Sequence, residues 1–438
     1  MIKYIRFILI LSLTAAAAGA NAQSTATTSS PYSRYGIGDL SPSVLPQSLG
    51  MGGIGTAINK ISGYNYINPL NPASYASINY TIIDAGVSSN INTLTKSGQS
   101  NQTNASFRYN HLAFAFPISK KSAFAFGLMP YSELGYNYRQ KQSNFGTGLP
   151  ADTNEVNYLY SGDGGLSKFF FGYGHRFGGL SLGINGSYIF GNLKETQSTE
   201  VPKLFGTLNS REEESNAING LTYDYGVQYS IDFSQRKHLT FGYSASASSK
   251  LNSRNSYIVS SYFTDANGNQ DIATDSLVNR QSPKAKVALP QINHFGISYQ
   301  YDGKYLIGAD YSIGNWSNLT VAGVNKGLQN SRTFNLGGQV TPNAASLSSY
   351  LARVDYRFGV IYDQTYLNIN NTNIKRYAAT FGLGLPLPRN NNAFYKINLS
   401  AEYGQRGTLT NNLVKEKYVN LHLSFTLNDQ WFVKYRYD

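Results

Sequence analysis

The sequence predicts an all-β fold: a closed antiparallel transmembrane β-barrel of about fourteen strands with an N-terminal plug, or hatch, segment. Three observations lead there. From about Asn79 onward, apolar and polar residues alternate with a period of two. Tight turns alternate with long polar connections along the same stretch. An export signal opens the chain, and no other apolar run approaches the ~20 residues that a membrane-spanning helix needs.

The export signal has three parts. Lys3 and Arg6 supply positive charge, Phe7 to Ala18 is apolar, and Ala20-Asn21-Ala22 places small residues at a cleavage site. Residues 1–22 are therefore expected to be a cleaved signal peptide, with the mature chain starting near Gln23. Residues 23–30 are Ser/Thr-rich and read as a flexible N-terminal stretch. Residues 31–78 are rich in Gly, Pro, Asn and Tyr and show neither a helical nor a strand period, which makes them one compact irregular segment. Residues 79–438 are the expected barrel.

Within that barrel, Val419, Leu421, Leu423, Phe425 and Leu427 alternate with Asn420, His422, Ser424 and Thr426. Tyr395 to Tyr403 and Leu239 to Ala247 behave the same way. In a sandwich the apolar face packs inward; in a membrane barrel it meets lipid, and the polar face lines the lumen. The expected strands are 79–89, 105–117, 121–138, 166–177, 179–192, 218–233, 237–251, 291–301, 304–314, 331–341, 352–363, 375–386, 394–405 and 417–427. Residues 256–263 and 430–437 read as extra strands or extensions. Phe177-Gly178-Gly179, Ser234-Gln235-Arg236 and Asp302-Gly303 read as tight turns, and Glu195–Asn216 and Asp265–Lys284 as long loops. Closure follows because an open sheet edge cannot face hydrocarbon.

Composition narrows the function. Charged residues make up 14% of the 438 residues, against about a quarter in ordinary soluble domains. The 35 Tyr suit a membrane interface, their rings being apolar and their hydroxyls polar. The net charge of +12 comes with no basic helix and no Lys/Arg run longer than two, so contact with acidic lipid accounts for it better than nucleic acid, and a merely solvated surface more simply still. There is no Cys, which excludes disulfides and thiolate metal sites. His111, His175, His238, His294 and His422 are scattered without metal spacing. No cofactor and no enzymatic activity are expected.

Several segments, taken in order, resemble FadL-type outer-membrane transporters. They are Ser48-Leu49-Gly50-Met51-Gly52-Gly53, then Tyr66-Ile67-Asn68-Pro69-Leu70-Asn71-Pro72-Ala73-Ser74, and Gly127-Leu128-Met129-Pro130-Tyr131-Ser132-Glu133-Leu134-Gly135-Tyr136, which is similar to that family's third strand. Gly162-Asp163-Gly164-Gly165, Asp310-Tyr311 with Asn315-Trp316-Ser317, and Trp431-Phe432 extend the likeness over most of the mature chain. The resemblance implies a fourteen-stranded barrel in the outer membrane, closed by an N-terminal hatch. It also implies uptake of hydrophobic small molecules of the fatty-acid or aromatic-hydrocarbon class. A related branch partners protein-secretion machinery instead. The partners expected are thus membrane lipid, a hydrophobic ligand and, in the alternative, a protein of the envelope. No cationic pocket matching a fatty-acid carboxylate is recognisable, which leaves the substrate open.

The candidate site residues fall in two groups. Gly50, Gly52, Gly53, Asn68, Pro69, Asn71 and Pro72 form the hatch motif, with Asn side chains satisfying local backbone groups in a pair of rigid turns. Such a hatch either shifts when ligand binds or is a static filler. Pro130, with Gly127 and Gly135, marks the expected strand kink. Proline has no N–H to donate, so mid-strand it forces a bulge or an edge, and the resemblance makes such a kink a lateral opening. The competing reading is a strand end above the membrane. Gly50 to Gly55 also fits G-x-G-x-x-G, but Pro42 and Pro46 precede it and no acid lies about 20 residues beyond, against a dinucleotide site. Gly179 to Gly183 fits G-x-S-x-G at a strand start, where no nucleophile elbow forms. A barrel-embedded hydrolase would need a Ser and a His within hydrogen-bond reach.

Overall fold

The computed structural model describes residues 30–61, 65–144, 154–203, 206–265, 270–271, 275–282, 284–388 and 393–431. The expected signal peptide, most of the flexible stretch and residues 432–437 lie outside them.

Fourteen antiparallel strands form one closed sheet. In chain order they are β1 (Thr81–Thr95), β2 (Gln102–Ser119), β3 (Ser122–Ser143), β4 (Glu155–Phe177), β5 (Leu180–Glu200) and β6 (Asn209–Ser234). Next come β7 (Lys237–Ser246 and Ser249–Tyr262) and β8 (Asp275–Gln281, Ala285–Leu289 and Ile292–Tyr301). The last six are β9 (Tyr305–Gly314), β10 (Ser331–Val340), β11 (Asp355–Ile369), β12 (Thr372–Pro386), β13 (Phe394–Gly407) and β14 (Lys415–Asp429). The ring closes where β1 pairs β14 from Thr81↔Asp429 to Thr95↔Lys415.

Alternation decides which face points where. Ile184, Leu221, Tyr223, Phe334, Phe358 and Leu423 are exposed, each 45–57% accessible, while Asn185, Thr222, Ser244, Arg357 and Ser424 are buried. A soluble protein buries its apolar face; this sheet turns its apolar face outward, the inversion a lipid environment requires. The inner face is not uniformly polar. Ala113, Ala115, Ala123, Ala125 and Phe170 point inward and pack on Leu45, Ile67, Tyr75 and Ile78 of the N-terminal segment.

Connections sort by end. At one end lie tight turns after β2, β4 and β6, together with both the start of β1 and the end of β14. The other end carries the longer connections, except that β11 and β12 meet in a two-residue turn, Asn370-Asn371, both at positive φ. The tight end has two exceptions, residues 341–354 between β10 and β11 and residues 387–393 between β12 and β13.

Two expectations need correction. Glu195–Asn216 is not a loop over its whole length: β5 runs to Glu200 and β6 starts at Asn209. Beyond the membrane a strand no longer needs an apolar face, so pairing continues through polar sequence, Lys194 of β5 reaching Glu213 of β6 at 3.0 Å. Asp265–Lys284 likewise contains the paired stretch Asp275–Gln281. Of the expected 256–263, residues 256–262 are an extension of β7, which is itself interrupted at Ala247-Ser248.

The N-terminal segment and the break in the wall

Residues 30–78 touch the inner side of most of the ring. The four-residue helix Pro46–Leu49 is capped by Gly50. Gly52 and Gly53 follow at φ +71° and +77°, a conformation side chains resist. Their glycines meet glycines of the wall: a Cβ on Gly337 would overlap the Met51 carbonyl, and one on Gly359 would overlap the Gly52 nitrogen. Backbone therefore lies directly on backbone. Polar groups then complete the fit. The Gly52 N–H donates to Thr380 Oγ1 at 2.8 Å, and Asn335 Nδ2 donates to the Gly52 carbonyl at 2.6 Å.

Asp310 of β9 fixes the next turn. Its Oδ2 accepts from the Gly55 N–H, the Thr56 N–H and Thr56 Oγ1, each at 2.8 Å. Asn68 Nδ2 donates to the Gly55 carbonyl at 2.7 Å, and Asn71 Nδ2 to the Thr56 carbonyl at 2.6 Å. Asn71 Oδ1 accepts from Ala73 N–H, capping the 3-10 turn Pro72–Ser77. The Pro69 carbonyl accepts from Asn185 Nδ2 of β5 at 3.2 Å, and Pro72 sits against Gly183 and Gly226. The motif residues thus come together as one hydrogen-bonded unit held by β5, β6 and β9 to β12. The stretch Gly50–Gly55 follows a helical turn rather than a strand, the opposite order from a dinucleotide loop.

Higher in the ring the same segment is held by charge. Arg406 of β13 forms a fork on Asp39, both contacts 2.9 Å, and its Nε meets Glu416 at 2.8 Å. Lys168 meets Asp224 at 2.8 Å, and Lys396 and Arg357 meet Asp355 at 2.6 and 3.2 Å. These interior cations are partnered, which is the condition for keeping charge away from water. A cavity of about 410 Å³ lies between the segment and the wall, with Leu40, Tyr131, Ile189, Leu289, Trp316 and Tyr366 among its apolar lining.

Pro130 sits at a break in the wall. The β2–β3 ladder runs from Ser119↔Ser122 up to Leu112↔Leu128 and stops. On the other side, the β3–β4 register slips by one residue between Pro130 and Ser132. Residues 132–136 are then all buried, so the in–out alternation ends there. Above the break β3 takes a different partner: Asp39↔Glu133 and Leu40↔Ser132 pair it with the N-terminal segment. Ser41 N–H and Ser30 N–H reach the carbonyls of Tyr131 and Gly135, at 2.9 and 3.0 Å. Arg108 of β2 spans the break to form an ion pair with Glu133. Gly127 lies below the break in continuous ladder, opposite Ala113. The cavity reaches this place, since Arg108, Tyr131 and Glu133 all line it.

A second irregularity went unread in the sequence. β7 and β8 are interrupted at Ala247-Ser248 and Pro290-Gln291, and neighbouring β9 ends at Gly314. Pro290 was the available signal, by the same missing N–H as Pro130.

Among the described residues one Ser–His hydrogen bond occurs: Ser312 Oγ and His294 Nδ1 are 2.6 Å apart. The two residues face each other across the β8–β9 ladder, so register alone produces the contact. Among the described residues no carboxylate is bonded to the other ring nitrogen, the orienting partner a triad requires. No group of three metal-ligating side chains occurs among the described residues.

Comparison with known proteins gives the architecture its context. No curated protein matches the chain. Among solved structures, it is similar to the Ralstonia pickettii toluene transporter TbuX, with a TM-score of 0.57 at 15% identity over 89% of this chain and 99% of that one. The P. putida toluene transporter TodX gives 0.57 at 14% identity over 90% and 100%. A Pseudomonas aeruginosa FadL homologue gives 0.55 at 12% identity over 90% and 100%. At such identities the likeness establishes the fold alone, a closed antiparallel barrel of the kind these channels have. The BamG family model matches residues 1–438, from end to end, and the chain belongs to the BamG family.

Proposed function

We propose that this protein is an outer-membrane channel for passive uptake of hydrophobic small molecules, of the aromatic-hydrocarbon or long-chain fatty-acid class. Residues 31–78 act as its plug, and the break at Pro130 as its lateral exit. The observation that carries this reading is the continuity of cavity and break: Tyr131 and Leu40 belong to both. A cavity of about 410 Å³ falls within the ~300–1,000 Å³ range of small-ligand pockets. Its half-apolar wall takes an apolar solute, and the solute's own gradient drives it. The toluene transporters that share the fold support the same class of solute. The test is uptake of labelled toluene and of oleate by liposomes holding the full barrel, against empty liposomes. Replacing Pro130 by Val while deleting Tyr131 removes the register slip. Uptake should then fall about tenfold, a loss of ~1.4 kcal/mol in transition-state terms. Unchanged uptake in that variant removes the lateral exit from the scheme.

A second reading, docking within an envelope complex, has its own observation. The connection 341–354 at the tight-turn end presents Leu347, fully exposed, and Leu351, 67% exposed, with Tyr350 beside them. Apolar side chains held out at a polar end are what a protein contact uses. A partner recovered from native membranes with the unaltered chain, and lost with Leu347→Asp/Leu351→Asp, would favour this reading over transport.

A further inference from the structure

Above the break, β2 and β3 leave two strand edges facing one wedge. β2 from Gln102 to Asn110 is paired with β1 alone, and β3 from Tyr136 to Ser143 with β4 alone, among the described residues. In antiparallel strands alternate residues aim their N–H and C=O to each side, so both edges present repeating donors and acceptors to the wedge. It encloses about 1270 Å³, between Gln102 and Asn104 on one side and Tyr136 to Gln142 on the other. Asn104 Nδ2 and Ser106 Oγ, on β2, are buried without a hydrogen-bond partner.

We propose that this wedge is a strand-addition site for an extended, acidic peptide segment of another protein. An open edge is a template for a further strand, and the lower part of this edge already serves as one. Asp39 and Leu40 pair with Glu133 and Ser132, and the pairing ends at Gly135, where the wedge begins. Charge selects the occupant. Arg34, Lys96, Arg139 and Lys141 line the wedge, Lys141 being paired with Glu155 at 2.6 Å, against Asp163 as the one acidic lining residue among the described residues. A peptide strand repeats its amides every ~3.3 Å and so matches such an edge. Lipid acyl chains have no groups to offer it. The proposal stands apart from solute passage, and the liposome result leaves it untouched.

The probe is a dye-labelled peptide of roughly nine alternating Glu and Val residues, long enough to run beside Gln102–Asn110. Binding to the full barrel in detergent is read by fluorescence anisotropy. Amide exchange of residues 102–110 and 136–143 is followed in parallel. The expected result is saturable binding with slowed exchange on one of these edges. N-methylation of alternate peptide residues should abolish binding on one edge of the peptide and spare the other. Arg139→Glu/Lys141→Glu should weaken it at least about tenfold, or ~1.4 kcal/mol, while the protein keeps its heat-resistant mobility as a folded barrel. Binding indifferent to N-methylation, or fully displaced by phosphatidylglycerol, would show an electrostatic or lipid site and overturn the proposal. So would slowed exchange that rises with protein concentration in the absence of peptide, which would mean a second copy. A tenfold gain in affinity on deleting residues 24–29 would also overturn it, by showing that the chain's own start holds the wedge.

Discussion

Asp310→Ala should release the N-terminal segment without opening the barrel. One carboxylate oxygen serves three donors of Gly55 and Thr56, all at 2.8 Å and all buried. Removing it strands those donors. At ~1–3 kcal/mol for each buried unsatisfied group, and allowing for partial rearrangement, the loss is about 4 kcal/mol. That corresponds to roughly a thousandfold rise in the population with this turn detached. Asp310→Asn keeps an acceptor in place but without charge assistance, and should lose less than half as much. Hydrogen–deuterium exchange of residues 52–58 in detergent reads both effects, while exchange of β9 and β10 reports on the wall. In a planar bilayer the Ala variant should show ionic conductance above the unaltered protein, if the segment blocks the lumen as proposed. Equal exchange in the Ala variant and the unaltered chain would refute the argument that this carboxylate holds the segment.

Three more outcomes follow from the same geometry. Gly359→Val puts a side chain into the Gly52 backbone, so residues 50–56 should become protease-sensitive and the barrel's thermal midpoint should fall; an unshifted midpoint speaks against backbone-on-backbone contact. Arg406→Ala leaves the buried Glu416 and the partly exposed Asp39 beside each other without their cation; with Asp39 able to reach water the cost is about 3 kcal/mol, the low end for a broken buried pair, measured as faster exchange in residues 30–41. Phe334→Arg, on the outward face, should destabilise the barrel in lipid vesicles by ~2–4 kcal/mol if it lies near the bilayer centre, whereas a soluble sandwich would gain or lose little at an exposed site.

Much of the wall was legible because lipid imposes a simple rule on every second residue. Tyr395 to Tyr403 and Val419 to Leu427 follow it without exception, and their strands fall close to the expected bounds. The rule lapses outside the bilayer, and there strand ends were misjudged. Glu212, Glu213 and Glu214 read as a loop because nothing local distinguishes a solvated strand from a solvated coil; only pairing with Glu195 to Gln197 does. The N-terminal motif residues were recognisable as turn formers, and Asn68 and Asn71 do satisfy nearby carbonyls. Their wall partners Thr380, Asn335 and Asp310 lie hundreds of positions away, and no local pattern links them. Pro130 announced an irregularity through its missing N–H. That Asp39–Leu40 replaces β2 as the partner of β3 was not readable, because two residues carry no periodicity.

Backbone-on-backbone contact around the ring has a consequence for biogenesis. The segment abuts nearly the whole ring, and its helix Pro46–Leu49 lies on the seam where β1 joins β14, Gln47 donating to Asp84 of β1 at 2.7 Å and to Thr426 of β14 at 3.0 Å. Residues 30–78 precede β1 directly, so they must already occupy the axis when that seam zips, or slip in afterwards through an opening with almost no clearance. Glycines on the staves then act as a gauge: a bulkier side chain there would be felt first as a cylinder that stalls before sealing, and only secondarily as a finished one that leaks.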